Sequence, residues 1–142
     1  MSSLSAAIAA SASALNVERT RIEVAVSNMA NAESTRGPDG QPYRRRDVVL
    51  APDEMSTFDS ALGRAGATGV KVSAVLQDQE AFRKRYEPSH PDADTDGFVS
   101  LPNVDTPQEM VDMLGAARGS QANLAAIGMI RELVAKALEL GR

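Results

Sequence analysis

The segment Ser89-His90-Pro91-Asp92-Ala93-Asp94-Thr95-Asp96-Gly97 sets three carboxylates at alternate positions ahead of a glycine, beside the chain's single histidine. Alternating aspartates before a glycine form the first half of a calcium-binding loop, in which carboxylate oxygens face the ion and glycine makes the sharp turn. Asp92, Asp94 and Asp96 would take the first three ligand positions, Gly97 the turn and Val99 the apolar site. The twelfth position, however, is Asn103, which has no carboxylate for the bidentate contact that such a site requires. Pro88, Pro91 and Pro102 also forbid the flanking helix pair. The segment therefore reads as a solvated turn whose carboxylates cap loop amides.

Other chemistry fails on similar grounds. Ser89, His90 and Asp92 are triad residue types, but a triad converges from separate elements and is not read from adjacent positions. One histidine cannot make a multi-histidine metal site within one chain. The absence of cysteine excludes disulfides and thiolate ligands. Gly63-Arg64-Ala65-Gly66-Ala67-Thr68-Gly69 lacks the Lys-Ser/Thr ending of a phosphate loop. Catalytic residues, metal ligands and cofactors are therefore expected to be absent. The basic runs Tyr43-Arg44-Arg45-Arg46 and Phe82-Arg83-Lys84-Arg85-Tyr86 invite a nucleic-acid reading, with Tyr43, Phe82 and Tyr86 as stacking groups. The net charge of −4 and the flanking Asp47 and Glu87 oppose it, favouring a solvated or subunit-contacting strand face.

The elements that must position these residues follow from the distribution of proline. All seven prolines lie between Pro38 and Pro107, and an interior proline costs a helix about 3 kcal/mol, so long helices belong at the two ends. At the first end, Leu4, Ile8, Ser11, Leu15, Glu18, Ile22, Ala25 and Met29 recur at the spacing of a coiled-coil seam. At the second end, Met110, Met113, Ala117, Leu124, Ile127, Val134 and Leu138 repeat that spacing, and Leu114, Ile130 and Leu133 widen the face. Thr106 is placed to cap this helix, with Pro107 at its first position and Glu109 completing a capping box. Gly115, Gly119 and Gly128 weaken the helix alone but permit close packing.

Between the ends, 43–51, 69–77, 82–88 and 97–101 read as short strands, and Ala51 to Gly69 as a polar loop. The expected fold is α+β. A helix over 3–32 and a helix over 106–141 form an antiparallel coiled-coil-like pair, and 33–105 forms a small β-rich middle domain. Much of the hydrophobic content of 43% is alanine, with three Phe, two Tyr and no Trp, so the private core is small and stability is expected to need partners. The N-terminus has neither a basic region nor an unbroken apolar one, which predicts no cleaved signal. No run approaches the ~18 apolar residues of a membrane span.

Ser27-Asn28-Met29-Ala30-Asn31-Ala32-Glu33-Ser34-Thr35 resembles the N-terminal signature of the bacterial flagellar axial proteins, the rod and hook group. In that group a long helix ends in a motif of this kind, here carried by Ser27, Asn28, Ala30, Asn31, Ala32 and Thr35. The segments Gln41–Leu50, Gly69–Val72, Phe82–Val104, Glu109–Leu114 and Lys136–Arg142 are similar, in order, to the proximal rod members, although Ser120 stands where relatives tend to have an aromatic residue. The resemblance implies a structural subunit of the basal-body drive shaft, which transmits motor torque to hook and filament and is needed for assembly and motility. Implied partners are copies of itself, other rod subunits, the adaptor and MS-ring proteins at the rod base, and the flagellar type III export apparatus. It implies a periplasmic rod location reached without a cleaved signal, with no nucleic acid and no membrane insertion. The alternatives from the residues alone are a soluble calcium- or nucleic-acid-binding module and a helical-bundle adaptor.

Overall fold

The computed structural model describes residues 2–53 and 68–140. In chain order, these form α1 (Ser2–Ala30), β1 (Arg46–Asp53), β2 (Gly69–Gln77), β3 (Arg83–Tyr86), β4 (Phe98–Leu101) and α2 (Thr106–Leu140), an α+β fold. The helices contain 29 and 35 residues, or about 43 and 52 Å at 1.5 Å per residue. They run antiparallel. Asn28 Nδ2 donates to Glu109 Oε2 at 2.9 Å. Ten residues back along α1, Glu18 lies against Gly119, ten residues forward along α2.

That second contact explains one glycine. A Cβ on Gly119 would sit 2.9 Å from Glu18 Oε1, whereas one on Gly115 or Gly128 would meet nothing within 4 Å. Of the three glycines of α2, only Gly119 thus permits close approach inside the chain.

The strands make two separate antiparallel ribbons, β1 with β2 and β3 with β4. A lone two-stranded ribbon is marginal in water, and the first is anchored on α1. Val70 N donates to Ser13 Oγ at 3.0 Å, while Ser13 Oγ donates to Ala10 O at 2.8 Å. A side chain at Gly69 would occupy the space of that hydroxyl. The ribbon register shifts between Val49 and Leu50, a bulge-like irregularity that adds local twist.

Buried apolar residues are few and small. Val99, Leu101, Pro102 and Val104 are buried where β4 leads into α2, Val17, Ala25 and Ala116 are buried along the helices, and Ala32 is buried just past α1. Meanwhile Leu114, Leu124, Leu133 and Leu140 remain exposed. The molecule closes a narrow core and leaves its larger apolar groups outside.

Several sequence expectations shift, among them the third strand, which covers Arg83–Tyr86 in place of 82–88. α1 ends at Ala30, because Asn31 Nδ2 donates back to Ser27 O at 2.8 Å and ends the helix in a turn. The first strand begins at Arg46 instead of Tyr43, since Arg45 N donates to Asn103 Oδ1 at 3.1 Å and not to a ladder partner. This strand continues through Asp53 into the expected loop, of which 54–67 lie outside the described residues. The fourth strand omits Gly97, whose φ of 81° is left-handed and incompatible with a strand. Finally, no capping box forms at α2. The first helical bond runs from Glu109 N to Asp105 O at 3.0 Å, making Asp105 the cap residue, and the Glu109 carboxylate turns inward.

Candidate assembly site

That carboxylate belongs to a buried polar hub where both helices meet the start of β1. Asn28, in the last turn of α1, is 0% exposed and uses every hydrogen-bonding position of its amide. Nδ2 donates to Arg46 O and to Glu109 Oε2, each at 2.9 Å. Oδ1 accepts from the Tyr43 hydroxyl and from Arg46 N, again at 2.9 Å. An amide has two donors and two acceptor lone pairs, so the residue is saturated. Glu109, 2% exposed, accepts on its other oxygen from Arg45 Nε at 2.6 Å.

Burial alone would push the Arg45 pKa down. The hydrogen bond and charge of Glu109, aided by Asp47 and Asp78, outweigh it and hold the guanidinium above its ordinary value. Three segments distant in sequence are thereby fixed by one amide and one ion pair.

The other motif residues extend the hub. Ser27 Oγ lies 3.3 Å from the Tyr43 hydroxyl. Ser34 Oγ donates to Asn31 O at 2.8 Å, and Ala32 is buried. Thr35 Oγ1 donates to Asp92 Oδ2 at 2.8 Å, while Arg36 pairs with Asp92 Oδ1 at 3.1 Å. Ala30 and Glu33 are the exposed residues of the motif. Asn123 repeats the Asn31 habit on α2, donating to Gly119 O at 2.9 Å.

The aspartate loop serves this same corner. Asp94 Oδ1 accepts from Asp96 N at 3.0 Å and Phe98 N at 2.8 Å, and His90 Nδ1 accepts from Asp92 N at 3.1 Å. Asp92 thus faces Thr35 and Arg36 while Asp94 faces its own loop amides, so the two carboxylates do not converge on one point. Most of the basic side chains are occupied as well. Arg44 stacks over Phe82 at 4.4 Å and Arg46 over Tyr43 at 5.5 Å, Arg83 donates to Pro102 O, and Arg85 lies between Glu33 and Glu87. Two of the three aromatic groups suggested for base stacking already carry an arginine.

The seam residues divide by exposure. Ile8, Leu15, Ile22 and Met29 on α1, and Met113, Ile127 and Val134 on α2, are half-buried. Leu4, Met110, Leu124 and Leu138 are exposed. On a 3.6-residue helix, Leu4, Ile8, Leu15, Ile22 and Met29 lie roughly 20–80° beyond Glu18, on the side away from Ser13. α1 therefore turns one side to the sheet and one to α2, and its apolar stripe borders the latter.

Tyr43, Arg45, Asn103 and Glu109 were not singled out by sequence as parts of a hub. Their types are ordinary surface types, and only the fold brings them to Asn28, which lies 81 positions from Glu109.

The sequence is also similar to known proteins. Residues 95–140 match the family described as "Flagellar basal body rod FlgEFG protein C-terminal". The flagellar basal-body rod protein FlgC of Salmonella typhimurium is 43% identical over 130 residues, covering 92% of each chain. FlgC of Bacillus subtilis is 41% identical, over 93% of this chain and 94% of its own. FlgC of Agrobacterium fabrum is 41% identical, over 99% and 96%. With similarity at this level along nearly the whole length, the chain belongs to the FlgC family of flagellar basal-body rod proteins.

Proposed function

We propose that the chain is a structural subunit of the proximal part of the flagellar rod, and that its helices reach their final packing only between neighbouring subunits. The carrying observation is the near-full-length similarity to FlgC proteins. The exposed apolar stripes supply the physical mechanism. Full burial of a leucine side chain contributes roughly 1.5–3 kcal/mol, so covering a half-exposed one adds about 1 kcal/mol or more. This gain arises only when neighbours are present.

In this reading α1 and α2 form the rod core, and the seam residues from Leu4 to Met29 and from Met110 to Leu138 meet other subunits. The region over 33–105 sits outside that layer and sets the angle between neighbours. Partners are further copies, the other rod subunits, and the adaptor and ring proteins at the rod base. The chain reaches the periplasm through the flagellar export apparatus with no cleaved signal, and it transmits torque without catalysing a reaction. Among the described residues no helix is long and apolar enough to cross a membrane. The occupied carboxylates and arginines give the calcium and nucleic-acid alternatives no support.

Deleting the gene in its own bacterium and imaging purified basal bodies tests the proposal. The expected result is basal bodies that stop at the ring, with swimming restored by the intact gene. A complete rod assembled without the chain overturns it.

A further inference from the structure

We infer that the aspartate turn of one copy, through Asp94 and Asp96, docks into an arginine-lined cleft beside Tyr43 on the next copy, joining copies side by side at one level. The inference rests on the rod reading and adds a specific contact to it. The cleft, about 520 Å³, lies between the loop after α1 and the start of β1, with Arg36, Pro42, Tyr43, Arg44 and Arg46 among its walls. Asp39 is the one carboxylate residue on those walls. Arg44 lies over Phe82 and donates only to the neutral carbonyls of Asp78 and Glu80, at 3.2 and 3.3 Å. Arg46 is exposed, its guanidinium lies over the Tyr43 ring, and no carboxylate pairs with it among the described residues. On a chain of net charge −4, two such arginines side by side suit carboxylates brought from outside.

The chain itself carries the matching surface. Asp94 and Asp96 are exposed on one turn, and no cation pairs with either among the described residues. Asp94 Oδ1 accepts from Asp96 N and Phe98 N, so the turn is set before a partner arrives, which lowers the ordering cost of docking. Asp92, two residues back, already pairs with Arg36 of the cleft wall at 3.1 Å, the same kind of contact made within one chain. Arg36, Gln41 and Pro42 line both the cleft and the neighbouring hollow that holds Asp92 and Asp94. The segment 36–42 is thus a shared wall, with Arg44 and Arg46 on one flank and the aspartate turn on the other. This placement selects a second copy as occupant. The two flanks are opposite in sign, they lie at the same end of the helix pair, and Arg46 and Asp96 each lack a counter-charge among the described residues. Copies standing side by side with one polarity bring the negative flank of each to the positive flank of the next. Unlike flanks meeting in this way form a heterologous contact, which repeats around a layer. Complementary charge sets the register of such a contact more than its strength.

The chain contains no cysteine, so introduced thiols give a clean test, and both positions chosen are exposed. One strain makes two differently tagged forms of the chain, one with Arg46→Cys and the other with Asp96→Cys, and purified basal bodies are treated with a short bis-maleimide. The expected product is a pair carrying both tags, with a 46–96 link identified by mass spectrometry. Links only to a different protein, or no link although both forms are present in basal bodies, overturn the inference. Presence of both forms in basal bodies keeps the rod reading intact in that event. If the cysteine forms are not incorporated, charge exchange decides. Arg46→Asp and Asp96→Arg are each expected to cause loss of swimming, and the two together in one chain to restore it. Normal swimming in either single variant, or failure of the rescue, overturns the inference.

Discussion

Asn28 shows how much can depend on one neutral side chain. With all four positions of its amide used inside a dry corner, truncation strands several partners at once. Leaving buried polar groups unpaired costs about 1–3 kcal/mol each. Asn28→Ala is therefore expected to lose about 2–4 kcal/mol in urea unfolding of the purified chain. Asn28→Asp is the sharper comparison, because it keeps the acceptor for Tyr43 and Arg46 but sets a carboxylate oxygen 2.9 Å from Glu109 Oε2. Like charges at that distance in a low-dielectric corner repel strongly. Greater loss in Asn28→Asp than in Asn28→Ala is the expected order, and the reverse order would mean that the corner is wet. Family resemblance marked Asn28 in the sequence, but its partners were not legible. The spacing of Thr106 and Glu109 fits a capping box equally well whether the carboxylate faces solvent or is drawn inward by an amide elsewhere in the chain. Local pattern carries no information about a partner 81 positions away.

The two helices are unequally supported along their length. Their hub end has Asn28, Glu109, Ala25 and Ala116 buried, whereas the far end shows Leu4, Leu133, Leu138 and Leu140 to solvent. Opening free energy follows local burial. In the free chain, hydrogen exchange is expected to be slow for amides over 17–28 and 109–120 and fast over 2–10 and 130–140, with the latter slowed in purified rods. Uniform protection in the free chain would show that the helices need no neighbours. The glycines separate the same two situations. Gly128→Ala meets open space in the single chain and should stabilise the free helix by about 0.5–1 kcal/mol, read as increased helical circular dichroism. Gly119→Ala must displace the Glu18 carboxylate and should gain less.

Both helices were legible from proline placement and seam spacing, because those signals are local. The sheet anchoring was not. Val70 binds the hydroxyl of Ser13, and a serine among alanines in a helical run gives no sign that a strand 57 positions on will use it.

At the scale of the whole molecule, the apolar surface is distributed the wrong way round for a self-sufficient domain. Buried positions hold mostly Ala and Val, and many of the large side chains are outside. A chain built this way gains stability by joining others, and packed helices that fill each other's grooves deform little under load, which suits a shaft. This makes folding and assembly separable by mutation. Leu124 is 59% exposed, so Leu124→Asn should change unfolding of the free chain by no more than about 0.5 kcal/mol. If Leu124 meets a neighbouring subunit in the rod, as proposed above, the same change sets an amide against apolar groups and should abolish swimming and incorporation into basal bodies. Ala116, 0% exposed, supplies the opposite case. Ala116→Leu should overpack the helix pair by about 1–3 kcal/mol and weaken the free chain itself. Normal swimming in the Leu124→Asn strain would mean that this face stays in solvent within the rod, leaving the helix pair to join its neighbours through some other side.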